Sequence, residues 1–251
     1  MRFARESFIV FRRQLRMNLR NPAWVIIGLT QPVLYLLLFG PLLKPMTAQF
    51  GAQNAYTFFV PGLLVQLGVF GAFFAGFGLI AEWREGVVEA ERVTPASRTA
   101  LLVGRLSRDL LQILAQAIVL CALGFALGMR ASATGLVIGV LLTVLLGAAC
   151  SAASYAVALT TKSEDVMAPI LNSVLLPVLL LSGILLPMTL GPAWLQKVSD
   201  YMPIKHVVDG VRSSFAGDLA SSSVMWGSVW AVVLTGLAVY WGTSTFRKEN
   251  A

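Results

Sequence analysis

Apolar and polar positions in this chain fall into long blocks rather than short periods. Six blocks stay apolar over the length needed to cross a hydrocarbon core, about 20 residues. They read as spans over Ala23–Leu43, Phe58–Ala81, Leu110–Met129, Ala133–Thr161, Val166–Pro187 and Met225–Phe246. The polar segments between them are too short for a separate soluble domain, so the pattern predicts a single all-α integral membrane domain over 1–251.

Three polar segments carry patterns of their own. In 1–22, Phe3, Phe8, Phe11, Leu15 and Leu19 can share one side of a helix, while Arg5, Arg12, Arg13, Arg16 and Arg20 dominate the rest. This predicts an amphipathic helix along a membrane surface, broken by Asn21-Pro22. It serves either as an anchor and orientation signal or as a lever against a cytoplasmic partner. The stretch 82–98 is the densest in charge, with four Glu and three Arg. Positions 82–93 are expected to form a short helix in which Glu85 and Glu89 have Arg84 or Arg92 in reach. Pro95 ends that helix and Ser97 caps the next. A connection of this length points to a functional element rather than a linker. In 188–224, two short amphipathic helices are expected between Trp194 and Phe215, split at Met202-Pro203, with Pro203 in the first turn of the second. Asp209 and Arg212 stand three apart and are expected to pair, and the segment is expected to pack on spans five and six.

Charge fixes an orientation. With the N-terminus in the cytoplasm, the inner segments hold Arg2, Arg5, Arg12, Arg13, Arg16, Arg20, Arg84, Arg92, Arg98, Arg105, Arg108, Lys162, Arg247 and Lys248. The outer ones hold only Lys44, Arg130, Lys197, Lys205 and Arg212. This predicts both termini inside. The net charge of +7 then sits at membrane borders, facing anionic lipid rather than nucleic acid. Hydrophobic residues make up 57% and charged residues 12%, which removes the soluble classes. Cys121 and Cys150 lie inside spans and read as small buried hydrophobes. The first 22 residues, with six Arg, do not read as a cleavable signal.

Several chemistries are excluded by what the sequence lacks. There is no G-x-x-x-x-G-K-[ST] loop, so the chain is expected neither to bind nor to hydrolyse ATP. The spans hold almost no ionisable residue, which speaks against an ion-coupled carrier: Asp109 lies at the edge of span three, and Glu164-Asp165 precede span five. A lone His206 makes no metal site, and no nucleophile stands with a base.

Within the spans, Gly68, Ala72 and Gly76 form a small-residue stripe suited to close helix contact. Beside it Phe70, Phe73, Phe74 and Phe77 form an aromatic face, for packing or as a soft wall for an amphiphilic substrate. Asn172 is costly in hydrocarbon and is expected to face protein or a cavity; Pro177 kinks the same span. The Gly124/Gly128 and Gly135/Gly139 pairs are expected to pack spans three and four together.

The run Phe59-Val60-Pro61-Gly62-Leu63-Leu64, followed by Glu82, Gly86, Glu89, Thr94 and Pro95 at their spacings, resembles the membrane subunit of type-2 ABC exporters, especially the daunorubicin-resistance-like drug and antibiotic efflux permeases. Tyr201-Met202-Pro203 with Val208-Asp209-Gly210-Val211-Arg212 resembles a later motif of that family, with Met202 where Asn is usual. The resemblance implies a permease of the bacterial inner membrane that exports a drug, antibiotic or lipid-like molecule. It implies a second permease, the same chain or a similar subunit, and two cytoplasmic ATP-binding subunits, with ATP and Mg2+ held by those subunits. By the same resemblance, Glu82, Arg84, Glu85, Gly86, Glu89, Arg92, Thr94 and Pro95 form the coupling helix, braced by Arg12, Arg13 and Arg16. The substrate path would run past Phe70, Phe73, Phe74, Phe77 and Asn172, and Pro203, Asp209 and Arg212 would form an outer gate. Export of a lipid-linked polysaccharide, and a non-transporting scaffold or immunity role, are the alternatives.

Overall fold

The structure is a computed structural model and describes residues 2–20, 23–43, 45, 54–94, 97–185 and 187–249. It is all-α among these residues, with six helices or helix pairs long and apolar enough to cross a membrane. In chain order the elements are α1 (Arg2–Arg20), α2 (Ala23–Leu43), α3 (Ala55–Phe73), α4 (Ala75–Arg84), α5 (Val87–Arg92), α6 (Arg98–Ala126), α7 (Ala133–Thr161), α8 (Glu164–Leu181), α9 (Ala193–Asp200), α10 (Pro203–Ala216) and α11 (Ser222–Glu249).

The bundle is organised around α7, which packs on α3, α4, α6, α8, α10 and α11. Its composition explains the position. Gly135, Gly139, Gly147 and a run of alanines leave a slim surface that neighbours can approach closely. Gly68 on α3 meets Thr143, and Gly76 on α4 meets Ser154 and Met167, so the small-residue stripe of span two is a packing surface against α7 and α8. The other glycine pairs do not join spans three and four. Gly135 faces the Ser214 carbonyl, Gly139 faces Phe215 and Val211 of α10, and Gly124 faces Val60 of α3. Gly128, with φ +100, makes the α6–α7 turn.

Three spans depart from the expected reading. Span two is α3 followed by α4, broken at Phe74. The Ser154 hydroxyl of α7 stabilises the break by donating to the Phe73 carbonyl and accepting from the Gly76 amide at 3.0 Å. Span five ends at Leu181 rather than Pro187, because Gly183 takes φ +72 and turns the chain out of the helix. Span three is continuous with the segment before it: α6 starts at Arg98, with Ser97 Oγ accepting from the Ala100 amide at 3.3 Å, the expected cap.

The expected helix pair of the late segment forms as α9 and α10, with Pro203 at the start of α10. Its packing goes further than expected. The segment meets span five through α9 and span six through α10, and Val207, Val208, Val211 and Phe215 are also buried against α3 and α7, so α10 belongs to the core. By contrast α2, α8 and α11 present broad exposed apolar faces, as helices do that meet lipid or another chain.

Candidate functional site

At one end of the bundle, α5 follows the end of span two. The helix expected over 82–93 is two pieces. Glu82 and Arg84 finish α4, Gly86 takes φ +75, and only Val87–Arg92 form the short helix. Glycine tolerates that left-handed backbone where other residues are strained. One side of α5 is anchored: Val88 sits in an apolar cluster with Leu79, Ile80, Leu102 and Leu106, and Glu91 is buried. The other side is free. Glu85 and Glu89 are exposed and make no ion pair among the described residues, and Val93 is 87% exposed. Thr94 folds back, its hydroxyl donating to the Glu91 carbonyl at 2.7 Å. Pro95 lies outside the described residues, as does the Arg92 side chain.

Glu82, expected on the docking surface, points inward. Its carboxylate accepts from Arg105 Nη2 of α6 at 2.7 Å and from Gln14 Nε2 of α1 at 2.6 Å. The same Arg105 nitrogen donates to Glu91 at 2.8 Å, and the other Glu91 oxygen meets Arg13 at 3.2 Å. Arg105 is 1% exposed. The physical reason is charge balance. A carboxylate at the foot of an apolar helix is less costly beside a buried guanidinium than facing hydrocarbon. Four more polar groups extend the cluster. Arg108 pairs with Asp109 at 2.8 Å, Tyr155 of α7 donates to Asp109 at 2.5 Å, and Arg108 reaches Asn18 of α1 at 3.3 Å. Arg13, Arg105 and Arg108 thus balance Glu82, Glu91 and Asp109.

The next two residues of α4 tie down a different neighbour. Lys162 lies over the Trp83 ring at 4.8 Å, and Arg84 pairs with Glu164 at 3.1 Å. Glu82-Trp83-Arg84 therefore links the end of span two to α1, α6 and the turn between spans four and five. Arg84 is spent on Glu164 instead of Glu85.

Helix α1 is amphipathic, but its packing face is centred on Gln14, with Ser7, Val10 and Asn18, and lies along α6. Gly104 permits the approach, since a Cβ there would meet Val10 at 2.6 Å. Phe11 and Leu15 are half-buried at the edge, whereas Phe3, Phe8 and Leu19 are exposed. Arg12 and Arg16 are exposed on the outward side; Arg13 alone of the expected three reaches back to the coupling segment.

The expected path residues divide. Phe73 packs against the core, Phe70 is half-buried, and Phe74 is 51% exposed at the break, stacked on Phe77 at 5.8 Å. Asn172 does not face a cavity of this chain. Helix α8 buries one stripe, Met167, Leu171, Leu175 and Val178, and Asn172 is exposed on the opposite side.

At the far end, the carbonyls freed where α8 stops are taken by the late segment. Ser199 of α9 donates to Leu181 at 2.7 Å, and Arg212 of α10 donates to Ile184 at 3.0 Å while lying 4.3 Å over the Phe58 ring. Arg212 therefore does not pair with Asp209: the carbonyl and the ring are the stronger claim on it. Burial lowers the Arg212 pKa to about 10 and raises that of Asp209 above the usual carboxylate range. Pro203 starts α10 and touches neither group's bond.

Sequence reasoning missed Gln14, Glu91, Arg105, Asp109 and Tyr155 as a connected site. The available signal was three charges at helical spacing, Arg105, Arg108 and Asp109, on a helix that runs on into an apolar span.

A family model described as ABC-2 type transporter matches residues 5–216. The protein ycf38 of Cyanophora paradoxa is 26% identical over 216 residues, covering 84% of this chain and 74% of that one. The daunorubicin resistance ABC transporter permease protein DrrB1 of Streptomyces coeruleorubidus is 26% identical over 78% of this chain and 70% of its own. "Probable multidrug ABC transporter permease YbhR" of Escherichia coli K12 is 23% identical over 82% of this chain and 58% of its own length.

Proposed function

Since the chain belongs to the ABC-2 type transporter family, and is thereby a multi-pass ABC transporter permease, we propose that it is the membrane half of an exporter for a hydrophobic drug, antibiotic or lipid-like substrate. Its motor is a separate ATP-binding subunit, present in two copies with ATP and Mg2+, and a second permease copy completes the pore. The chain lies in the bacterial inner membrane with both termini and α5 on the cytoplasmic side, in line with the sorting of its Lys and Arg. The names of two relatives, one a daunorubicin resistance permease and one a probable multidrug permease, favour the amphiphilic substrate over a polysaccharide.

The observation that carries this reading is the two-sidedness of α5. Its anchored side is locked into the bundle through Val88 and Glu91, and its free side offers Glu85, Glu89 and Val93 to a partner. An acidic, partly apolar knob on a short anchored helix suits a socket with a basic rim. In the same reading Phe74, Phe77 and Asn172 face the path between two permease copies, which gives the exposed Asn172 the neighbour it lacks in a single chain. The α9–α10 end closes the exit.

The test is recovery of the complex on a tag carried by this chain. An ATP-binding subunit should co-purify, and vesicles holding the complex should accumulate daunorubicin with ATP. The chain alone should show no hydrolysis. Glu85→Lys and Glu89→Lys should insert into the membrane yet lose complex and transport, by about 2–5 kcal/mol if a partner charge is stranded. Nucleotide binding by the isolated chain, or unchanged complex and transport in both variants, would overturn the reading.

A further inference from the structure

Helix α5 has six residues, too few to hold a helix by itself. A force applied to its free side is therefore felt through its anchors. Val88 is held by apolar contact, which is non-directional and allows sliding. Glu91 is held by charge. If it leaves Arg105, a buried guanidinium and a carboxylate are both left short of compensation. A displacement of α5 is thus followed by Arg105 in either direction, push or pull.

Arg105 passes the displacement on. The nitrogen that binds Glu91 also binds Glu82, on the last turn of α4, so one atom joins α5 to the end of span two. Its Nε and Nη1 atoms are buried without a hydrogen-bond partner among the described residues, so Nη2 carries both links. Above Glu82, span two runs to its break at Phe74, where the aromatic path residues lie. The line from the free face of α5 to the path is therefore Glu91, Arg105, Glu82 and α4.

We propose that Arg105 is the positioning residue that turns a displacement of α5 into movement of span two, by holding Glu91 and Glu82 on one guanidinium nitrogen. This rests on the reading of α5 as the docking element of an ATP-driven permease. It assigns the transmission step to a residue on span three that touches neither the partner nor the substrate.

The experiment uses the tagged complex in nanodiscs, with Phe74→Cys as a reporter labelled by a maleimide; Cys121 and Cys150 are buried and stay silent. In the parent complex, ATP should change the labelling rate at position 74. Arg105→Gln, at a lowered melting temperature, and Glu82→Gln, as a milder variant, should each still yield complex with ATP hydrolysis while losing most of that change. Arg105→Lys should recover part of it. Val88→Ala, which loosens the apolar anchor of α5, should lower the melting temperature and leave the nucleotide response in place. A purely structural role would instead lower melting temperature and recovery in all variants together, with the response intact in whatever assembles. A full nucleotide response in Glu82→Gln or Arg105→Gln overturns the proposal. Absence of any co-purified ATPase from the parent complex overturns the permease reading and the proposal with it, and is distinguished by appearing before any variant is made.

Discussion

The two ends of this bundle are held together by different physics. At the α5 end, three arginines and three acids from α1, α4, α5 and α6 share one partly buried cluster, centred on Arg105. At the α9–α10 end, span five is fastened by two single bonds to carbonyls, from Ser199 and Arg212. Charges in low dielectric are interdependent: removing one strands the others. Hydrogen bonds to a carbonyl are nearly independent, each contributing about 1 kcal/mol net. One end is therefore stiff, and opens as a unit or not at all. The other yields bond by bond. In the proposed reading, where a partner pushes on α5 and cargo leaves at the other end, that asymmetry has a use.

The largest effect is expected at the stiff end. Arg105→Met should destabilise the purified chain by about 3–5 kcal/mol, read as the unfolding midpoint in micelles, because Glu82 and Glu91 lose their buried cation. The triple variant Arg105→Met, Glu82→Leu, Glu91→Leu should recover most of that loss, since no buried charge is left alone; Arg13 turns to water. If the single variant loses no more than a surface pair does, about 1 kcal/mol or less, the cluster is not the stiff element.

An intermediate effect is expected at a close backbone approach of the yielding end. A Cβ on Gly62 would sit 2.2 Å from the Ile184 carbonyl oxygen. Gly62→Ala should cost about 1–3 kcal/mol by overpacking and should speed labelling of cysteines placed at the end of α8. Unchanged labelling would show that span two does not hold that end.

Much of this asymmetry was hidden from the sequence, for a physical reason. Spans one and four were legible to the residue, and α1, α9 and α10 were legible as helices, because apolar length, arginine spacing and Met202-Pro203 act locally. The charge cluster was not. Glu82, Glu91, Arg105 and Arg13 come from four helices, and spacing along the chain does not say which carboxylate a buried arginine selects. Glu82 and Arg84 looked like surface charges for the same reason. Asp209 and Arg212 had the right spacing to pair, but the unwound end of span five, set by Gly183, offered the arginine a carbonyl instead. The end of span five was missed because a single left-handed glycine, not the apolar content of Ser182–Leu185, decides where the helix stops.

Two smaller effects belong to the yielding end. Ser199→Ala should cost about 1 kcal/mol, the net value of one hydrogen bond, with no loss elsewhere. Loss of several times that would mean the bonds there are coupled after all. Asp209→Asn has the smallest effect and the opposite sign. Burial raises the Asp209 pKa in the folded chain, so native stability falls as pH rises through the window between its unfolded and folded values. The variant should be slightly more stable than the parent at neutral pH and equal to it below both values. A parent that gains stability over that window would reverse the assignment.

The most direct measurement is native-state hydrogen exchange of the parent chain in nanodiscs, resolved by segment. Residues 79–84, 87–92 and 98–106 should share one opening free energy, because Arg105 ties them together, and 193–202 should open at a lower one. Independent opening of 87–92, at or below the free energy of 193–202 and with 79–84 still protected, would contradict the coupling of α5 to span two.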